Sequence, residues 1–435
     1  MRAEFDVTIA TPLSVGWYDP NIVDRRFYIR PTSVKGIWRW WARAFALGAL
    51  FEAGCPDLKA ASDLVAKWGF GTTRSASEYR ITVEVRRPPE VKTVRRRQRS
   101  GIQRLDLVAL SRDVEYAVGG HFVLRVEGRG QYFDHALRIL AVALTLSGVG
   151  KGSRKSLGVL DITAARGDAP REQGVRDLIE AVKREAARDA ACTGRAQGAE
   201  LPPAPAVARG VFEVYAVTKD AFEGGSAREA FLEVHNIFLR TVRASAVSSS
   251  SDPMDHMAWF FGLPRSQQMK VKKLKCFAKY VENYFKHKGV NVKVAYDEMS
   301  DIVLINDVEV TNNGIRGKGA LAEEVRKLFE KFMSEFQEYI KQDNIITGYI
   351  LPSKSDITRR ASAVFIASHG PNHLYGGETY LSLFLSNDWP TTLMWLGCGE
   401  KQLIHITPSE VKKARDIFIT SFVKKRWKNI KEIWP

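Results

Sequence analysis

The chain has 435 residues, and its 65 Lys and Arg against 49 Asp and Glu give a formal net charge of +16. The length predicts two domains, and the basic excess favours nucleic acid, or less strongly an anionic membrane surface, as the partner. The four cysteines are far apart and form no CxxC pair, which argues against a zinc knuckle or a disulfide framework. Neither a signal-peptide pattern nor a run of eighteen apolar residues occurs, so we expect a soluble cytoplasmic protein in reducing surroundings.

The first part of the chain has the pattern of a ferredoxin-like domain. Alternating polar and apolar residues predict strands, and apolar spacing of three and four residues predicts helices. The predicted strands are residues 4–10, 79–85, 120–126 and 158–162, and the predicted helices are 29–47, 58–68 and 134–146. Strand, helix, strand, strand, helix, strand is the split βαβ order, in which helices cover one face of an antiparallel sheet. The free face is an RNA platform in several modules of this kind.

The second part repeats the pattern with an interruption. Strands are predicted at 211–218, 359–368 and 379–385, and helices at 227–243, 321–340 and 409–423, the last closing the chain. We therefore predict an α+β protein with two ferredoxin-like domains. The expected boundaries are 1–165 for the first domain with a basic loop at 86–112, 166–209 for a charged helix and a Pro/Ala/Gly linker, and 210–435 for the second domain with a basic helical insertion at about 265–345.

The helix predicted over IRPTSVKGIWRWWARAFAL, residues 29–47, is the most distinctive element. Its apolar residues recur at helical spacing and predict a buried stripe of Ile37, Trp38, Trp41 and Phe45. Its cations recur every four residues and predict a basic line of Lys35, Arg39 and Arg43. A core helix whose charges are only solvated is the alternative interpretation.

Three further stretches are basic. Residues 86–104 contain Pro88, Pro89 and Gly101, which argue for a protruding loop that becomes ordered on a nucleic-acid backbone. The glycine-rich stretch 146–159, LSGVGKGSRKSLGV, lacks the P-loop spacing and lies between a helix and a strand, the reverse of the nucleotide-binding order. It predicts a flexible turn that approaches a phosphodiester. Residues 264–288 predict a basic helix for RNA or for a partner subunit. The candidate RNA-binding side chains of these stretches are Arg95, Arg96, Arg97, Arg99, Lys151, Arg154, Lys155, Lys272 and Lys273.

Evidence for catalysis or metal binding is weak. The histidines His369, His373 and His405 have no cysteine or carboxylate at ligand spacing, which indicates an incidental cluster and no metal site. No hydrolase, zinc-protease or kinase motif occurs. Single carboxylates such as Asp19, Asp106 and Asp113 could assist RNA cleavage, but nothing in the sequence positions them.

Several motifs resemble the RAMP superfamily, in particular the family that forms subunit one of the Cmr (type III-B) CRISPR effector complex. The opening TPLSVGWYDP, followed by YIRPTSVKGIWRWWARAF, is similar to the start of that family. The stretch GVGKGSRKSLG is similar to the superfamily's G-loop. The segments FFGLPR (260–265) and RRASAVFI (359–366) are similar to parts of its second domain.

The resemblance implies two RRM-like RAMP domains, no cofactor, and membership of a ribonucleoprotein together with other Cmr or RAMP subunits. It implies a position near the 3′ part of the CRISPR RNA and the target RNA, in antiviral defence. It places RNA contacts on Lys35, Arg39, Trp40, Trp41, Arg43, Lys151, Arg154 and Lys155. We therefore expect a non-catalytic RNA-binding subunit. The alternatives are a metal-independent endoribonuclease that processes precursor CRISPR RNA with His121 or His135, and a scaffold that binds only protein.

Overall fold

A computed structural model describes most of the chain. The described residues are 1–16, 18–192, 199–218, 231–236, 258–261, 267–269, 273–297, 300–340, 345–350, 360–397, 400–424, 427 and 429–435. They form two compact units. The larger contains Met1–Thr241, Ser362–Trp389 and Thr407–Pro435, and the smaller contains Val242–Ala361 and Pro390–Ile406. Among the described helices, none combines the length and the apolar character that crossing a membrane requires.

The strands and helices are numbered in chain order. The strands are β1 (Arg2–Leu13), β2 (Arg80–Arg87), β3 (Glu90–Val94), β4 (Val114–Glu127), β5 (Leu160–Gly167), β6 (Phe212–Val217), β7 (Gln267–Met269), β8 (Val294–Asp297), β9 (Ile302–Ile305), β10 (Val308–Thr311), β11 (Gly314–Arg316), β12 (Ile345–Ile350), β13 (Val364–Ser368), β14 (Thr379–Phe384), β15 (Thr392–Gly397), β16 (Glu400–His405) and β17 (Ile430–Trp434). The helices are α1 (Pro31–Glu52), α2 (Leu58–Val65), α3 (Gln103–Val108), α4 (Phe133–Leu146), α5 (Val175–Asp189), α6 (Lys273–His287), α7 (Ala320–Ile340) and α8 (Pro408–Ile417).

The first sheet confirms a ferredoxin-like domain. Its antiparallel strands lie in the order β2-β4-β1-β5, and the chain visits them as β1, α1, β2, β4, α4, β5. An additional strand, β3, pairs with the other end of β4, where Glu90 lies opposite Val118. The basic loop predicted at 86–112 is therefore a folded element with its own strand and the short helix α3. The expectation that its prolines exclude packing is wrong, because Pro88 and Pro89 precede the strand and leave its amides free to pair.

The second sheet repeats the same topology in the larger unit. Its strand order is β13-β14-β6-β17, and the helical segment 231–236 and α8 occupy the places of the two helices. This order confirms a second ferredoxin-like domain. We predicted that a helix closes the chain, and this prediction is wrong. The closing strand β17 pairs with β6, and Trp434 is fully buried there.

The smaller unit contains both strands and helices. Strands β8 to β11 form an antiparallel meander, and α6 and α7 bury their apolar stripes with it, for example Phe277 and Val325. A second sheet in this unit has the order β16-β15-β12-β7. The predicted insertion is therefore not purely helical, because four short strands occupy residues 294–316 between α6 and α7.

The described residues 166–192 and 199–209 are packed. They include the charged helix that we predicted, but residues 199–209 do not form the free Pro/Ala/Gly linker. Helix α5 buries Leu178, Ile179 and Val182 against α1 and α4. Further on, the Val207 amide donates to the Ala44 carbonyl at 2.8 Å, and a Cβ added at Gly48 would lie 2.1 Å from the Val207 carbonyl oxygen. The chain therefore lies directly against α1, in contact that only glycine at position 48 permits.

A disulfide joins Cys55, just after α1, to Cys192, just after α5. The two cysteines are separated by 137 residues in the sequence, and their Cα atoms are 6.1 Å apart. The cysteine spacing indicated no disulfide framework and missed this bond, because the packing of α5 on α1 brings together residues whose spacing gives no signal.

Helix α1 packs through its indole rings. The Trp38 Nε1–H donates to the Ala136 carbonyl at 2.7 Å, and the Trp41 Nε1–H donates to the Ser147 hydroxyl at 3.2 Å. Trp41 also lies against Phe384 of the second sheet, with ring centroids 5.6 Å apart. Helix α1 therefore contacts α4 of its own domain and the sheet of the second domain.

We predict that Trp41→Ala lowers the free energy of unfolding by about 3–5 kcal/mol, because a fully buried indole leaves a cavity at the junction of the two domains. Arg43→Ala on the exposed side of the same helix should change it by less than about 0.5 kcal/mol. Chemical denaturation followed by circular dichroism measures both variants. Equal losses in the two variants would contradict this role of Trp41.

Candidate nucleic-acid interface

The G-loop, residues 147–158, is a closed turn between α4 and β5. Its ends meet where the Val149 amide donates to the Gly158 carbonyl at 2.8 Å, and the Gly158 amide donates to the Pro12 carbonyl at 2.9 Å. Gly158 has a φ of +69°, and a Cβ there would lie 2.0 Å from the Val149 carbonyl oxygen. The expectation of a flexible turn is therefore wrong, since hydrogen bonds close this loop against β1.

The cations of the G-loop are partly engaged within the protein. The Lys151 ammonium donates to the Pro20 carbonyl and to Asn21, and burial, with Arg104 and Arg112 nearby, lowers the pKa of Lys151. The Arg154 guanidinium lies 5.2 Å from the Trp40 ring centroid. These cations therefore hold the loop in place through their contacts, in addition to giving it positive charge.

The G-loop also joins the two domains. The Ser156 amide donates to the Ile366 carbonyl at 3.0 Å, and the Ile366 amide donates to the Arg154 carbonyl at 3.2 Å. The Lys155 ammonium donates to the Ser362 hydroxyl at 2.9 Å. The loop therefore extends the edge of the second sheet at β13, and its position is set from both domains.

The basic line of α1 contains two adjacent half-buried cations. Burial, together with the charge of Arg39, lowers the pKa of Lys35. One Arg39 amino group donates to the Gly71 carbonyl at 3.0 Å, whereas its Nε is buried without a hydrogen-bond partner among the described residues. Arg43 is exposed. An anion at this position would relieve the repulsion and accept the unused hydrogen bond.

The two adjacent tryptophans of α1 do not present stacking surfaces as the resemblance implied. Trp41 is fully buried, so the expectation that it contacts RNA is wrong. Trp40 is half-buried, and its ring lies 4.8 Å from that of Phe365 and against the Arg154 guanidinium. Both rings belong mainly to the junction between the domains, because the second sheet covers this part of α1.

The arginine hairpin consists of the turn after β3 and the adjoining ends of α3 and β4, and its cations are Arg95, Arg96, Arg97, Arg99, Arg104 and Arg112. All of them are exposed, and none forms an ion pair with a carboxylate in the described part of the chain. The turn is ordered, because the Arg96 amide donates to Asp113 at 2.6 Å and the Arg97 amide donates to the Ala109 carbonyl at 3.0 Å. The hairpin therefore holds several free guanidiniums on a defined backbone.

His235 connects the arginine hairpin to the G-loop. Its Nδ1–H donates to the Lys155 carbonyl at 2.6 Å, and its Nε2 accepts the Arg104 amide hydrogen at 3.3 Å. These partners require the neutral ring, and burial lowers the pKa of His235 to about 4. Leu157 of the G-loop and Leu105 of the hairpin lie in the same small apolar cluster. The two basic elements thus form one surface. No sequence motif indicated the role of His235.

The open face of the first sheet is different in character. Its outward side chains pair with one another in a ladder of Arg2, Glu4, Asp6, Glu84, His121, Arg125 and Arg166. The hydrogen bond from Arg2, followed by that from Arg125, lowers the pKa of Glu4. None of these side chains is Phe, Tyr or Trp, and several are acidic. This ladder therefore does not offer the aromatic stacking surface of an RNA platform, contrary to our expectation.

The structure brings two of the three candidate histidines together with a carboxylate. The His369 Nδ1 lies 2.8 Å from Asp161 Oδ1, and its Nε2 lies 2.7 Å from the Thr145 carbonyl. The His373 Nδ1 accepts the Ile162 amide hydrogen at 3.0 Å, and burial lowers the pKa of His373 well below its ordinary value. The sequence missed Asp161 because it lies on β5, far from the histidines in the chain. These nitrogens already have partners, so the cluster joins the two domains by hydrogen bonds.

The remaining predicted residues have other positions. Lys272 lies outside the described residues, and so does the side chain of Lys273. His405 is exposed on β16 in the smaller unit. The three single carboxylates accept hydrogen bonds from nearby groups in turns: Asp19 from the Asn21 amide, Asp106 from Ser100 and Asp113 from the Arg96 amide. These contacts stabilise local structure and do not assemble an acid–base pair.

The two βαββαβ domains, with a glycine-rich loop between α4 and β5, define a double ferredoxin-like protein. Residues 6–161 match the family model of the RAMP superfamily. The resemblance predicted from the sequence is thereby confirmed at the level of the superfamily. Residues 274–340, in the smaller unit, match the family model described as Lsm C-terminal. A comparison with curated proteins gives no significant match.

Three solved structures are similar to the chain at low identity. Cmr1 from Pyrococcus furiosus in its apo form is 15% identical, with 100% of this chain and 99% of that chain covered and a TM-score of 0.48. A chain of the type III-B Cmr-beta bound to cognate target RNA and AMPPnP, in the presence of ssDNA, is 12% identical. The match covers 96% of this chain and 99% of that chain, with a TM-score of 0.45. A chain of the type III-B Cmr-beta bound to cognate target RNA is 13% identical. The match covers 95% of this chain and 99% of that chain, with a TM-score of 0.43.

We predict that acid weakens the junction between the arginine hairpin and the G-loop. The pKa of His235 is lowered to about 4, so between about pH 6.5 and pH 4 the unfolded chain binds a proton that the folded chain excludes; burial lowers the pKa of His373 in the same direction. The free energy of unfolding should fall with decreasing pH by up to about 1.4 kcal/mol per pH unit for each histidine. Urea denaturation at pH 7 and pH 5 measures the slope.

His235→Gln should reduce this pH dependence, whereas His287→Gln, at an exposed position on α6, should leave it unchanged. A pH dependence that is identical in the His235→Gln variant and the unmodified chain would show that His235 is not excluded from protonation in the folded state.

Proposed function

We propose that the chain is a non-catalytic RNA-binding subunit of a cytoplasmic type III-B (Cmr) CRISPR ribonucleoprotein in antiviral defence. In this proposal it contacts the 3′ part of the CRISPR RNA and the target RNA, beside other Cmr or RAMP subunits. The observation that carries the proposal is the arginine hairpin, whose exposed guanidiniums have no ion-pair partner in the described part of the chain. The RAMP match over residues 6–161 and the sequence motifs of the first domain support it.

The chemistry of the hairpin suits a phosphodiester backbone. Guanidinium groups donate paired hydrogen bonds to phosphate oxygens, and they stay charged at all physiological pH values. Clustered cations on an ordered turn gain affinity by releasing counterions from the RNA. A turn held by Asp113 and Ala109 also loses less conformational entropy on binding than a disordered arm would.

The basic line of α1 is the second element of the proposed interface. Lys35 and Arg39 are close enough for the charge of Arg39 to lower the pKa of Lys35, and Arg39 retains an unused Nε–H. One phosphate oxygen could accept that hydrogen and neutralise both charges. We assign Lys151, Arg154 and Lys155 a smaller share, because their side chains already contact the protein.

Catalysis by the two histidines of the rival hypothesis has little structural support. His121 lies 3.3 Å from Asp6 in the ion-pair ladder. His135 is only 2% exposed, and its Nδ1 lies 2.8 Å from Glu185. Neither histidine is on the arginine hairpin, and a buried general base could not reach a strand bound there.

We predict that RNA affinity falls steeply with salt, with a logarithmic slope of about −0.7 for each phosphate contact to a single strand. Replacement of Arg95, Arg96, Arg97 and Arg99 by Ala should reduce that slope and weaken binding at low salt. Fluorescence anisotropy with labelled single-stranded RNA measures both.

The matched control removes the same charge from exposed positions elsewhere on the larger unit: Arg74, Arg129, Arg171 and Arg176. This variant should retain most of the affinity and nearly the full slope. Equal losses in the two variants would mean that net charge, and not the arginine hairpin, attracts the RNA.

We further predict that the purified protein leaves labelled precursor RNA intact, with or without divalent metal, because no acid–base pair lies on the arginine hairpin. Gel analysis after prolonged incubation tests this. Cleavage at one defined position, abolished by His121→Ala, would establish the endoribonuclease alternative.

A further inference from the structure

A crevice of about 160 Å³ lies beside the arginine hairpin in the larger unit. Its walls come from Ile9 and Pro12 of β1, from Ile102 before α3, and from Phe231 of the helical segment 231–236. Tyr116 of β4 and Lys92 of β3 also line it, and they lie opposite each other across the strand pair. The crevice is thus mostly apolar, with one phenol ring and one cation.

The crevice opens because β1 and β4 separate locally. Ile9 pairs with Gly119 and Leu13 pairs with Ala117, so three residues of β1 lie opposite a single residue of β4. The extra residues turn away, where the Ala10 amide donates to the Val159 carbonyl at 2.9 Å. A Cβ added at Gly119 would meet no atom within 4 Å, which shows that the space at this edge is unfilled.

The size of the crevice matches one planar ring. An apolar cavity of about 150 Å³ accommodates benzene in another protein. Tyr116 is half-buried, which leaves part of its ring available, and Phe231, which also lines the crevice, is 2% exposed. Flat aromatic surfaces of this kind stack on bases of any sequence, because every base has a π-face.

The charges around the crevice indicate that the planar ring it accepts belongs to a polyanion. Arg95 follows β3 directly, and Arg104 lies two residues beyond Ile102, so exposed guanidiniums flank the crevice along the chain. Lys92 lies at its rim, paired with Glu90 at 3.3 Å. A strand whose phosphates contact these arginines would bring its bases to the crevice.

We propose that the crevice takes up one unstacked nucleobase of the single-stranded RNA whose phosphates the arginine hairpin binds. This inference rests on the proposed RNA-binding function and adds a base contact to it. The occupant is a base and not an apolar protein side chain, because cations border the crevice. Its mostly apolar lining predicts acceptance of any base and little sequence preference.

The test compares two ligands of equal length and charge, an oligouridylate and a fully abasic ribose-phosphate oligomer. Tyr116→Ala should weaken oligouridylate binding by about tenfold, within the range measured for loss of one stacked base. The affinity for the abasic oligomer should stay within twofold. Tyr116→Phe keeps the ring and should bind both ligands as the unmodified chain does. Fluorescence anisotropy provides the affinities.

A second variant fills the crevice without removing the ring. Ala10→Leu, at a half-exposed lining position, should weaken the binding of oligouridylate but not that of the abasic oligomer. This variant provides the test if Tyr116→Ala does not fold. In the unmodified chain, 4-thiouridine in the RNA should photocrosslink to the peptide that contains Tyr116 or Phe231.

The outcomes separate the two proposals. If the unmodified chain binds both ligands equally, or if Tyr116→Ala and Ala10→Leu leave oligouridylate affinity unchanged, the base site is wrong and the RNA-binding function stands. If the unmodified chain binds neither ligand, both proposals are wrong.

Discussion

The indole rings of α1 hold the two ferredoxin-like domains together. Trp38 donates its indole hydrogen to Ala136 of α4, while Trp41 lies in contact with Phe384 of the second sheet. Helix α1 is therefore buried on two sides, and the larger unit has one continuous apolar core from the first sheet to the second. Because that core fixes the end of α4, it also fixes where the G-loop starts.

The G-loop connects this apolar core to the basic surface. It pairs with β13 at Ile366, and through His235 and Leu157 it holds the arginine hairpin. Its own cations serve these contacts, so exposed charge is concentrated on the neighbouring hairpin. The open sheet face carries a self-paired ladder of ions instead. The proposed RNA surface is accordingly made of ordered loops supported by the core, and not of the sheet itself.

Local patterns predicted much of this organisation. The first βαββαβ repeat follows from strand alternation and helical spacing, and the second follows apart from its closing strand β17. The glycines of the G-loop indicated a close backbone turn. The errors concern features that only tertiary packing decides. Trp41 and Arg43 belong to the same helical motif, yet one is fully buried and the other exposed. The Cys55–Cys192 disulfide and the contact of Asp161 with His369 each join residues more than a hundred positions apart.

We propose that the arginine hairpin holds RNA inside a larger ribonucleoprotein. The most direct measurement is purification of the native protein from its host under mild salt, followed by sequencing of the bound RNA and identification of the attached proteins. We expect CRISPR RNA and other RAMP subunits to co-purify with the unmodified chain, and the RNA to be lost when the hairpin arginines are replaced by alanine. A chain that purifies alone and free of RNA would contradict it.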